Sequence, residues 1–77
     1  MERLGRRVDG TVKIILNGEP HSVAEPKTIS ALVQELNLVP ATLLIEHNGL
    51  ALHREEWNSR ALREGDKVEF VRLVAGG

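Results

Sequence analysis

Residues 12–37 read VKIILNGEPHSVAEPKTISALVQELN, and this one stretch sets out a strand, a turn, a return strand, a break and a helix. Val12 to Leu16 is rich in β-branched residues and runs into Asn17-Gly18. An Asn-Gly pair is a strong hairpin signal, because a type I′ turn needs two residues that accept positive φ. The return strand is expected from Glu19 to Val23. Pro20 cannot donate to a ladder, which puts that strand at an edge or makes it irregular there. After the break at Glu25-Pro26-Lys27, Thr28 is placed as an N-cap. Behind it Ile29, Leu32, Val33 and Leu36 fall at i, i+3, i+4 and i+7, one apolar stripe along an amphipathic helix. Asn37 suits the left-handed residue that ends a helix, Leu38 can fold back onto the last turn, and Pro40 prevents continuation.

The second half repeats the strand and turn. Leu43 to His47 (LLIEH) reads as a strand stopped by a second Asn-Gly pair at 48 and 49, and Leu50 to Leu52 as a short return. His53 to Leu62 is polar and irregular, with one helical turn expected around Glu55–Trp57. Glu64-Gly65-Asp66 makes a tight turn, and Lys67 to Leu73 (KVEFVRL) forms the last strand. Val68 and Phe70 point to one of its faces, Glu69 and Val71 to the other. One helix cannot cover both faces of such a sheet, so the expectation is an α+β roll. Its mixed sheet has four to five strands, the main helix lies across one face, and the last strand lies centrally beside the first. The chain divides into a disordered leader over 1–11, one folded domain over 12–73 and a flexible tail over 74–77.

Composition narrows the function. Seventy-seven residues make one domain with a thin core, leaving little room for a deep cleft; a binding module, or a substrate of other proteins, fits better than a self-contained enzyme. Ten Lys and Arg against eleven Asp and Glu leave no basic excess to release counterions from a phosphate backbone. With no Tyr, one Phe and one Trp there is little to stack on bases, so nucleic acid is not an expected partner. The chain has no cysteine, hence no disulfide, thiolate metal site or thiol nucleophile of its own. Its apolar runs are too short to span a membrane, and MERLGRRVDG lacks the apolar stretch of a secretory signal. A cytoplasmic protein, monomeric when free, is expected.

Several of these pieces together resemble the ThiS family, the sulfur carrier proteins of thiamin (thiazole) biosynthesis, which have the β-grasp fold of ubiquitin. They are the first strand with Asn17–Glu19 (NGE), the helix TISALVQEL at Thr28–Leu36, HNG at His47–Gly49, EEW at Glu55–Trp57, EGD at Glu64–Asp66 and the terminal VAGG at Val74–Gly77. The leader is longer than is usual in that family. Leu50 and His53 stand where a polar residue and a proline are often found. The nearest alternatives are the MoaD-like small subunit of molybdopterin synthase, which has the same kind of terminus, and a ubiquitin-like protein modifier or binding module. The approach Arg72-Leu73-Val74-Ala75 and the Glu-Trp segment favour ThiS over MoaD.

The resemblance implies that the working group is the carboxylate of Gly77. A partner would adenylate it with ATP and Mg²⁺, and a sulfur donor would then convert it to a thiocarboxylate. Gly76 and Gly77 have no Cβ and fit a narrow channel, and from Val74 to Gly77 an extended chain reaches about 13 Å. Val74, Ala75 and Gly76 would thus give Gly77 access to a partner's active site while the body stays docked outside. The implied partners are an E1-like adenylyltransferase of the ThiF type, a thiazole synthase of the ThiG type and a sulfur donor such as a cysteine desulfurase system. The carrier itself would bind no cofactor and no metal, and would be a co-substrate. Val71 and Leu73, on the face away from the helix, are the candidates for docking.

Other constellations carry less. His47 and His53 flank the second hairpin near Glu55 and Glu56, but no helical His spacing, cysteine or third ligand makes them a zinc site. His21 is isolated and reads as solvated. Trp57 reads as packing onto the core, and Arg60 and Glu64 as a solvated surface pair. No glycine pattern marks a nucleotide loop, so any ATP belongs to a partner.

Overall fold

The computed structural model describes residues 10–24 and 27–73. The nine residues before Gly10, the break at Glu25-Pro26 and the tail over 74–77 lie outside that description. Five strands and one α-helix follow in the order β1 (Thr11–Leu16), β2 (Glu19–Ala24), α1 (Ile29–Glu35), β3 (Leu43–His47), β4 (Leu50–Ala51) and β5 (Lys67–Arg72). The strands form one mixed sheet in the order β2-β1-β5-β3-β4, in which β1 and β5 run parallel and the other neighbours antiparallel. This is the β-grasp roll, with the last strand central beside the first as the hydrophobic pattern requires. β2 is an edge strand, so the missing N–H of Pro20 costs little.

Local chemistry explains the elements. Both Asn-Gly pairs form turns with two positive φ values, 49° and 85° at Asn17-Gly18 and 54° and 85° at Asn48-Gly49. The Thr28 hydroxyl accepts from Ala31 N at 3.1 Å and caps α1. At the other end Asn37 turns left-handed with φ 58°. There Leu38 N donates to Val33 O and Asn37 N to Gln34 O, the paired bonds that satisfy a helix's last carbonyls.

The core lies between α1 and one face of the sheet. Ile29, Leu32 and Val33 of the helix meet Val12, Ile14, Val23, Leu43, Ile45 and Val68, all buried. Leu36, Leu38, Leu16 and Phe70 pack partly buried at its margin. Among the described residues no helix is long and apolar enough to cross a membrane.

The structure amends several boundaries. β1 takes in Thr11, which the sequence reading left in the leader, β2 runs on to Ala24, and β5 ends at Arg72. The segment expected to hold one helical turn is a 3₁₀ helix over Arg54–Ser59. Polar and irregular in sequence, that segment with its flanks nonetheless gives Leu52, Trp57 and Leu62 to the core. It is tied to α1 by Ile29 N donating to Arg60 O and Leu62 N donating to Lys27 O. Glu64 is not half of a surface pair with Arg60, because it accepts from the backbone N of Lys13 at 2.9 Å.

Candidate functional site

Residues Val74, Ala75, Gly76 and Gly77 fall outside the described residues, so the geometry begins where β5 delivers the chain to them. β5 lies between β1 and β3, and the chain is held one residue beyond its end: Leu73 N donates to Thr42 O at 2.6 Å. The strand is also gripped by both hairpin turns. Asn17 Oδ1 accepts from Phe70 N at 2.8 Å, and Asn48 Oδ1 accepts from Lys67 N at 2.8 Å. The two asparagines chosen for positive φ thus extend the ladders on either side of β5. Both Asn-Gly pairs were legible as turns, while the bonds their side chains make to β5 were not.

The two faces of β5 differ sharply. Toward the helix, Val68 is fully buried and Phe70 half-buried. Beside Phe70 a groove of about 400 Å³ opens between the C-terminal end of α1 and the sheet, lined by Leu16, Leu36, Leu38, Leu43, Asn17 and Arg72. On the opposite face Val71 is 50% and Leu73 49% exposed. Leu44 is exposed on the same face, 54%, and lies directly opposite Val71 in the β3–β5 register. Strand parity could have found it, because Leu43 and Ile45 face inward and Leu44 must then face out.

The other ionisable candidates are occupied locally. His47 is buried on the inner face with Leu43 and Ile45, and its Nε2 lies 2.7 Å from Asp66 Oδ2. Asp66 also accepts from Arg63 N at 2.9 Å and from Asn48 Nδ2 at 3.1 Å. Partial burial pushes the Asp66 carboxyl upward, but the hydrogen bonds from His47, Asn48 and the Arg63 N–H prevail and hold it below the ordinary aspartate value. An ionised carboxylate only accepts, so His47 Nε2 carries the proton of that bond. His53 instead caps the 3₁₀ helix: its side chain accepts from Glu56 N, and its own N donates to the Glu56 carboxylate at 2.7 Å. The two histidines are therefore committed to different partners. No cluster of three or more His, Asp or Glu among the described residues could hold a metal.

His21 departs from its reading as solvated. It is opposite Ile14 on the helix-facing side of β2, and its Nε2 is buried with no hydrogen-bond partner among the described residues. Trp57 packs as expected, 4% exposed, with the Arg54 guanidinium 5.3 Å from its ring centre.

Comparison with known proteins places this geometry. The chain is 37% identical over 62 residues to the sulfur carrier protein ThiS of Thermus thermophilus, a match covering 80% of this chain and 95% of the relative. It is 33% identical over 66 residues to a thiazole synthase of Magnetococcus marinus, covering 86% of this chain but only a fifth (20%) of that much longer protein. The crystal structure of a thiamine biosynthesis protein (ThiS) from Geobacter metallireducens superposes with a TM-score of 0.74 at 32% identity, over 86% of this chain and 100% of that one. The family model for ThiS matches residues 14–77, from the first strand through the Gly-Gly end, and the chain belongs to the ThiS family.

Proposed function

We propose that this chain is a sulfur carrier for the thiamin thiazole ring, a co-substrate that performs no catalysis itself. An E1-like adenylyltransferase docks the carrier's sheet face and takes the tail into its active site. There the Gly77 carboxylate attacks the α-phosphorus of Mg²⁺-bound ATP, pyrophosphate leaves, and an acyl-adenylate forms. Sulfide, released when a thiol reductant cleaves a persulfide loaded by a cysteine desulfurase system, then displaces AMP and leaves the thiocarboxylate. Thiazole synthase accepts that sulfur. The carrier's own residues supply reach and recognition: Val74 to Gly76 give the access, and Val71, Leu73 and Leu44 the contact. ATP and Mg²⁺ belong to the partner.

The observation that carries this reading is the end of β5. A central strand clasped by two turns is held at Leu73 by Thr42, beside an apolar exposed face, and leads into a Gly-Gly end within a ThiS-family chain. The thiazole synthase relative that contains a carrier-like segment supports thiazole synthase as the acceptor.

The test is mass spectrometry of the chain after incubation with an E1-like adenylyltransferase, ATP, Mg²⁺ and a sulfide source. The intact mass should rise by the difference between sulfur and oxygen, and fragmentation should place the gain on Gly77. Deleting Gly77 should abolish the gain and leave the melting temperature unchanged. Gly76→Val should slow adenylation by crowding the channel. A deletion variant that still acquired and delivered sulfur would sink the mechanism. A tail found joined to a lysine of another protein would make the chain a modifier. A thiocarboxylate consumed only by the large subunit of molybdopterin synthase would move it to that pathway.

A further inference from the structure

The sheet face away from the helix is divided by charge along β5. At its tail end sits the pair Leu44–Val71, with Leu73 beyond; one step back, the residues in register are Glu46 on β3 and Glu69 on β5. Side chains directly opposite on neighbouring strands have Cβ atoms about 4.5–5.5 Å apart, and like charges there repel. Nothing in that row relieves the repulsion. On the far side of Glu46 is Ala51 of β4. On the far side of Glu69 is Asn17, whose N donates to Val68 O and whose side chain is held by Phe70 N. Among the described residues the ion pairs are Lys27–Glu35 and His47–Asp66, so neither carboxylate has one. Lys67 shares the face but sits one step farther from the tail, level with the Asn48 turn that its N–H binds. Both glutamates are exposed.

We infer that the face docks on a protein surface presenting a cationic side chain between Glu46 and Glu69, beside an apolar patch that covers Leu44, Val71 and Leu73. This rests on the carrier reading above and specifies the surface of the adenylyltransferase that takes the tail. The carboxylate pair lies on the side of the apolar patch away from the tail, so the partner's cation stands outside the mouth of its active site and the apolar patch at the mouth. A single guanidinium or ammonium reaches both carboxylates at cross-strand spacing and turns a repulsive pair into two attractive contacts. The apolar patch supplies burial, and the charge pair fixes register and speeds encounter.

The experiment measures binding of the full chain to the adenylyltransferase by calorimetry without ATP, at low and high salt, alongside melting of the free chain. Glu46→Gln with Glu69→Gln should weaken binding about tenfold at low salt and remove most of its salt dependence, while Tm stays equal or rises. Glu46→Lys with Glu69→Lys should weaken binding by about a hundredfold or more. Unchanged affinity in the Gln variant would overturn the proposal, as would a fall in its Tm matching the loss of binding, since the pair would then serve the fold. The carrier reading fails separately. It falls if wild-type chain gains no sulfur mass, whatever its binding shows, whereas wild-type chain that gains sulfur with a salt-independent affinity overturns the docking proposal alone.

Discussion

Val68 and Val71 are the same residue three positions apart on one strand, and they live in opposite circumstances: Val68 is 0% exposed and Val71 50%. The neighbouring strand repeats the contrast, with Ile45 1% and Leu44 54% exposed. Burying such a side chain fully is worth about 1.5–3 kcal/mol. On the helix side that energy has already gone into folding. On the other side about half of it is still available, beside the end of β5. In a domain of this size, with a thin core, apolar residues left outside are a cost to solubility that a docking role would explain.

The largest predicted effect comes from breaking the inner face. Leu32 is fully buried on the sheet-facing side of α1, so Leu32→Ala should destabilise by about 2–5 kcal/mol, measured by urea or thermal unfolding. Leu44→Ala should move stability by less than about 0.5 kcal/mol and instead weaken binding to the adenylyltransferase. If Leu44→Ala proved as destabilising as Leu32→Ala, the two faces would not divide the work as described.

Next comes the polar residue on the inner face. His47 has the strand parity of Leu43 and Ile45 and is buried with them, at the cost of needing Asp66 as a partner. Asp66→Asn should cost about 1.5–3 kcal/mol at neutral pH, the range for hydrogen bonds to a charged group. Because the folded carboxyl titrates below its unfolded value near 3.9, its stabilisation is complete above about pH 4 and is lost as pH falls through the lower folded value. The gap between wild type and Asp66→Asn should therefore be wide at pH 7 and close as the solution is acidified below about pH 4. A gap constant from pH 7 to pH 2 would show that the bond network, and not the charge, is what counts.

What was legible in the sequence follows the same division. The helix, its Thr28 cap, its Asn37 end, both Asn-Gly turns and the central last strand rest on periodicity and on local φ demands, which a sequence displays directly. So did the outward parity of Val71 and Leu73. Of the 3₁₀ segment only a turn around Glu55–Trp57 and the packing of Trp57 were legible; its extent was not, because it buries only Trp57 and so has neither a period of 3.6 nor one of 2. Its capping box also begins with His53, where serine or threonine is the usual sign. The inward side of His21 is fixed by pairing with Ile14, a fact of register and not of composition, so nothing local in the sequence displays it. The opposed Glu46 and Glu69 are more than twenty residues apart, and only the β3–β5 register brings them together.

That register is what keeps the two faces apart, since a one-residue slip of β5 would carry Val68 outward. Its parallel pairing with β1 covers only Ile15–Lys67 and Leu16–Val68, so the asparagine clasps have much of the strand to hold. Replacing each by glycine keeps the positive φ and removes only the side-chain bonds. Asn17→Gly loses the single bond to Phe70 N, whereas Asn48→Gly loses those to Lys67 N and to Asp66. At about 0.5–1.5 kcal/mol per bond, Asn48→Gly should be the more costly, and both should fall below Leu32→Ala. Amide hydrogen exchange should quicken at Phe70 in the first variant and at Lys67 in the second, with Val68 still protected in both. If Val68 lost its protection while the domain stayed folded, β5 would have slipped, and the clasps would set which valine faces the core.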